Sequence, residues 1–382
     1  MKTITVLSIV VLTVALLALG VAAPVAAWDQ YVQLNDSQEP GSVLVFPKFI
    51  KGTVNNPDQG DMTKGLPRSQ FKISVVRPNG VDEMTVGTVR IKAHWVCPGG
   101  PPPAVCAETD FHLTTTIWGT VLFNAGDNDG AQVSNDDVTG GYGDPQDIHA
   151  GPAPGLINGP PCREGYLIAW VVDGDDNAIK FDGLIGNAVI RSNSNSGNST
   201  RSYNAIPIQA ADELYASVPP FNIVSPSGSP LVFDGSSTAY KAVTSTIYGP
   251  VRFANVSGIG TQDTNLVLLT LDVVSSQNNP QTDVFLTFYA QDESPASTFT
   301  NFFCWGEVEL RALNMTEDLM GSSYGLVRST GALQGTSGVT LLGLVESRET
   351  FLPVAMTPLV RRDYTYPLFN DSMPVTTTFT PH

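Results

Sequence analysis

The stretch that most constrains the fold is residues 162–191, CREGYLIAWVVDGDDNAIKFDGLIGNAVIR. Residues 165–172 are almost continuously apolar, the composition of a strand covered on both faces. Asp173-Gly174-Asp175-Asp176-Asn177 then carries a D-G step, a strong reversal signal. Residues 179–190 alternate at first and then turn apolar. Together they predict a β-hairpin near the centre of a sheet.

The rest of the chain keeps the β habit. Residues 43–46 open it, closed by Pro47. Val89, Ile91, Ala93, Trp95 and Cys97 share one face of a strand, with Arg90, Lys92 and His94 on the other. A further strand is expected over 111–123, and RSNSNSGNSTRS (191–202) reads as a flexible loop. Ala210, Ala211, Leu214, Tyr215 and Val218 follow helical spacing and predict one short helix over 208–218, ended by Pro219-Pro220. SPSGSP (225–230) resembles a linker. Further strands are expected over 231–233, 239–253, 266–274, 284–290 and 299–310. Many short strands with Gly/Pro turns predict an all-β protein of sandwich or jelly-roll type. The expected layout is two packed β domains, 28–220 and 221–382, with the helix between them.

The first 27 residues have the form of a secretory signal. Lys2 precedes an apolar run over 4–19, and Val25-Ala26-Ala27 offers small residues for cleavage. The expected location is secreted, extracellular or at the cell surface, with no membrane span after signal cleavage. The chain carries a net charge of −16, which argues against nucleic acid and anionic lipid as partners. Four cysteines, Cys97, Cys106, Cys162 and Cys304, are expected as disulfides in an oxidising compartment. Cys97 and Cys106 end two candidate strands joined by a Pro/Gly loop, so a local bridge is expected there. Cys162 and Cys304 then pair by elimination and join the two halves.

No residue pattern makes a convincing catalytic site. Ser69-Gln70-Phe71-Lys72 is an S-x-x-K match in a predicted strand, without its companion motifs. His149 lies in a loop beside Asp144 and Asp147. Glu307 and Glu309 share one strand face, where glycosidase chemistry would want a cleft. Calcium is the stronger chemical expectation. Asp173-x-Asp175-x-Asn177 matches the first three ligand positions of an EF-hand loop and then departs from it. Asp127 and Asp129 mark a second acidic loop. The functional expectation is therefore a secreted structural or interaction protein of a surface, matrix or appendage. Residues 28–34 and 374–381 would act as free strands for homo-oligomeric or surface assembly. A carbohydrate- or ligand-binding module is the alternative, marked by Trp28, Trp118 and Tyr364-x-Tyr366, with Trp118 expected in the core. A hydrolase with an unrecognised site is the third reading.

Overall fold

A computed structural model describes residues 38–52, 68–78, 88–100, 106–126, 132–135, 157–194, 197–212, 222–257, 260–274, 281–333, 338–351, 360–370 and 374–380. The signal-like segment, Trp28, Asp127, Asp129, His149 and residues 213–218 lie outside them. The protein is all-β, with several antiparallel sheets packed together in sandwich fashion.

Two sheets come from the first half of the chain. The first has the order Ile206–Ile208, Val43–Ile50, Glu164–Val172, Val89–Val96, Glu108–Thr115, and Ala178–Ile179 and Ile223–Ser225 extend it at one end. The second has the order Gly197–Asn204, Leu184–Ser194, Arg68–Val75, Gly119–Asn124, Gln132–Asn135. Trp95, Phe49, Phe71, Phe111 and Phe123 fill the space between them, with ring centroids 5.0–5.6 Å apart in close pairs. Edge-to-face and offset contacts of this kind add to the area term.

The second half forms two five-stranded sheets. The third sheet has the order Pro295–Phe302, Thr282–Ala290, Tyr324–Leu333, Thr246–Arg252, Phe369–Asn370. The fourth has Asn255–Ser257, Gly260–Leu269, Leu342–Phe351, Val360–Pro367, with Trp305–Glu309 also paired to Gly260–Leu269. The fourth sheet obeys the period of two on both faces. Leu266, Leu268 and Val345 turn into the core of the second half, while Val267, Leu269 and Leu344 join the core of the first.

This arrangement explains the central apolar run. Val43–Ile50 and Val89–Val96 flank Glu164–Val172. Leu167 lies beside Trp95 in the inner core. On the opposite face Tyr166 donates to the Thr270 carbonyl at 3.3 Å, and Trp170 meets Phe379 at 6.1 Å. Both faces are covered, so alternation is absent.

Several expectations are corrected. The hairpin after residue 172 is only a stub, with Val172 paired to Ala178. The chain then turns and Leu184–Ser194 enters the second sheet. Buried polar groups fix that corner: Lys180 Nζ donates to the carbonyls of Ala211 and Ser237, and Asp182 accepts from Ser42 Oγ and the Ala210 amide. Pro47 does not end its strand; the register slips between Phe46 and Phe49, a bulge that tolerates proline. Residues 111–123 hold two strands joined at Trp118, whose φ is +68°. The expected loop at 191–202 is a pair of strands, because Arg201 and Tyr203 give Gly197–Asn204 a buried face that its serines and asparagines conceal. Residues 208–212 are not helical: they end a strand, bridge Ala210 to Tyr240 and bend. The linker-like 225–230 is a tight turn, with the Ser229 amide on the Pro226 carbonyl and Gly228 at φ +74°.

The disulfide pairing also differs from expectation. The bonds are Cys97–Cys162 and Cys106–Cys304, with Cα–Cα separations of 5.9 and 6.4 Å, within the usual range. Val89–Val96 has two neighbouring strands. Cys97 reaches the cysteine preceding Glu164–Val172 rather than the one preceding Glu108–Thr115. Proximity along the chain favoured the wrong neighbour. Cys106 instead faces the second half, where the Gly99 amide also donates to Phe303. The tail is not free either. Thr377–Thr380 pairs antiparallel with Leu231–Phe233 and parallel with Val273–Val274, and Pro374–Val375 pairs with Val243–Thr244. Phe379 is fully buried there, which makes the strand an internal part of this chain.

Candidate functional site

A buried polar cluster lies where the two halves meet. The bulge at Pro47 and Lys48 directs the Lys48 side chain toward the fourth sheet, and the Pro47 carbonyl accepts from Trp305 Nε1 at 2.8 Å. Lys48 Nζ lies 2.7 Å from Glu307 Oε2 and 2.6 Å from Glu346 Oε2, and its side chain is 3% exposed. Arg201 Nη1 reaches the same Glu346 oxygen at 3.0 Å. Tyr203 O–H donates to the Lys48 carbonyl. The other Glu307 oxygen accepts from the Asn265 side-chain amide. Two cations and two carboxylates balance formally, which is the condition for burying them at all. Glu346 Oε1 and Arg201 Nε have no hydrogen-bond partner among the described residues.

Burial alone would push the Glu346 carboxyl upward. The charges of Lys48, Arg201 and Arg348, with the Lys48 hydrogen bond, hold it below the ordinary glutamate value instead. Desolvation pushes the Tyr203 hydroxyl far up, so it remains a neutral donor.

A second buried pair lies under the tail. His94 Nδ1 is 3.2 Å from a Glu108 oxygen, with the ring stacked on Trp170 at 4.9 Å and Phe379 edge-on at 6.0 Å. The polar face expected for Val89–Val96 is therefore roofed at His94.

The acidic turn uses its side chains on itself. Asp173 Oδ1 accepts the amides of Asp175 and Asn177, and Oδ2 accepts Asn177 Nδ2, all at 2.9 Å. Asn177 Oδ1 accepts the Ser227 amide. Desolvation pulls the Asp173 carboxyl up, but these hydrogen bonds and the charge of Arg90 outweigh it and leave the group below its usual value. Asp175 points to solvent. Asp176 meets Arg90, Lys92 and His112. Among the described residues no group of three or more His, Cys, Asp or Glu is arranged to hold a metal ion. Asp173→Ala is expected to lower stability by about 1 kcal/mol, the scale of a net turn hydrogen bond, measured by thermal melting with calcium and with chelator. An equal loss in both marks a turn-former; a melting temperature that rises with calcium, and no longer does so in Asp175→Ala, marks a bound cation.

Other sequence-marked residues fall apart in space. Ser69 is buried and accepts the Ile50 amide, whereas Lys72 faces outward, since an offset of three puts residues on opposite faces of a strand. Trp118 is 44% exposed on its turn rather than in the core. Glu309 is exposed, while Glu307 belongs to the buried cluster.

The outer face of the third sheet is aromatic. Phe299 and Phe285 are direct cross-strand partners, 66% and 60% exposed. Pro295, Tyr289, Leu326 and Pro250 form a continuous row over four strands. Tyr248 and Tyr324 lie on the same face, and the Arg252 guanidinium sits 4.7 Å over the Tyr324 ring. Pro295–Phe302 is the edge strand here and holds no charged residue.

No family model and no curated protein matches the chain. Among solved structures, that of the infectious bursal disease virus Gx strain aligns over 92% of this chain and 82% of its own. The identity is 11% and the TM-score 0.12, a likeness that carries no argument.

Proposed function

We propose that the protein is a secreted structural or interaction component that associates through the outer face of the third sheet. The carrying observation is the Phe285–Phe299 pair with its flanking Tyr248, Tyr289, Leu326 and Pro250, an apolar patch exposed on a sheet. Contiguous patches of this kind mark interaction sites. The adjoining edge strand has none of the charges that usually protect an edge. The chain's charge of −16 opposes contact between copies elsewhere. Among the described residues the strands of this face carry only Asp283, Arg252 and Arg328 as charged outward positions, so two copies meet here at least Coulomb cost. Two disulfides suit an oxidising, extracellular setting.

Light scattering behind size exclusion tests the reading. The native species is expected to exceed the monomer mass and to fall to monomer when Phe285 and Phe299 are both changed to Ser. A wild-type monomer across micromolar concentrations overturns it. Trp118, exposed on its turn, supports carbohydrate binding as the second reading; retention on a glycan array that is lost in Trp118→Ala would favour that instead.

A further inference from the structure

We infer that Lys48 and Asn265 form an intramolecular isopeptide bond, with Glu307 as the catalytic proton carrier. The three side chains already hold the required order. Lys48 Nζ lies 2.7 Å from one Glu307 oxygen, and the Asn265 amide donates to the other. One carboxylate thus holds a nucleophile and an acyl donor side by side, in a site where Lys48 is almost wholly removed from water. Pre-association of this type supplies most of what an uncatalysed amide exchange lacks. Near-attack geometry asks for about 3–3.5 Å between the reacting atoms.

The step balances without any further reactant. Glu307 takes a proton from the Lys48 ammonium, leaving a neutral amine. Nζ attacks Asn265 Cγ, and the carbonyl electron pair moves to oxygen. Glu307 relays a proton from the attacking nitrogen to the departing one. The Cγ–Nδ2 bond breaks, ammonia leaves, and the new Nζ–Cγ amide remains. Glu307 retains the proton originally taken from Lys48. The buried charge stays balanced: the cation Lys48 and the anion Glu307 are lost together, and Arg201 still faces Glu346. Glu307 is 21% exposed, so the cluster is not sealed from solvent.

The bond would join Val43–Ile50 of the first half to Gly260–Leu269 of the second. It is independent of what the third sheet's outer face binds, and unlike Cys106–Cys304 it survives reductant.

Intact-mass spectrometry of the reduced, denatured chain decides the matter, with the N-terminus fixed by peptide mapping. The expected mass lies about 17 Da below that of the unlinked chain, the mass of one ammonia lost in a covalent modification. A tryptic peptide carrying Lys48 should appear joined to one carrying Asn265. Glu307→Gln and Asn265→Ser should each restore the full mass for their sequences, with the native disulfides and circular dichroism showing that they fold. Separate recovery of unmodified Lys48 and Asn265 peptides from the wild type overturns the inference. A mass deficit that persists in folded Asn265→Ser overturns it equally.

Discussion

Glu346→Gln lowers the stability by about 3–5 kcal/mol, the cost of leaving a buried charge without its partner. Arg201 reaches Glu346 but no other carboxylate of the cluster, so a neutral amide there strands a cation between two packed halves. Arg201→Met should cost a similar amount, and the double variant should recover a large part of the sum, because the pair is then removed together. Urea unfolding of the four proteins measures the cycle. Additive losses would show that the two side chains do not act as a pair. The effect has a pH signature. A carboxyl held below its unfolded value contributes stability that is fully present above that unfolded value, near 4.5, and is lost as pH falls through the folded value. Acid should therefore destabilise the wild type more steeply than Glu346→Gln.

Replacing Cys106 and Cys304 together by Ala is expected to cost about 5 kcal/mol on the chain-entropy model. The sequence separation is 198 for this bridge and 65 for Cys97–Cys162, so the first should be the costlier loss. Both sulfurs are buried, and any cavity left behind adds to the effect. Guanidinium unfolding of the two paired-alanine variants gives the comparison. A loss below about 1 kcal/mol for Cys106/Cys304 would mean that the bridge closes no entropically significant loop.

How much of this was legible in the sequence depends on the range of the cause. The all-β class was legible because alternation in residues 89–96 and the apolar run at 165–172 are local consequences of sheet burial. The buried cluster was not. Lys48 in VLVFPKFI and Glu346 in LLGLVES each put one charge into an apolar strand, which is a signal of a partnered ion. The partner of Lys48, however, lies 298 residues away, and no local pattern names it. The sequence marks Glu307 only by its spacing to Glu309, whereas its cation, Lys48, comes from a strand of the other half. The cysteines failed for a related reason: adjacency along the chain could not say which of two neighbouring strands supplies the partner. The sequence marks Asp173, Asp175 and Asn177 as calcium ligands; in the fold Asp173 accepts the amides of Asp175 and Asn177 and the side-chain amide of Asn177, the geometry of a self-capped turn.

The internal pairing of Thr377–Thr380 sets an order of events. Phe379 packs against His94 and Trp170, residues made hundreds of positions earlier, and its strand joins two others that cannot meet without it. During synthesis the first half emerges with that site uncovered, and it stays uncovered until residue 380 has left the ribosome. Closure of such a long loop is slow. The face around His94 and Trp170 is therefore completed only after the strands of the second half have been made.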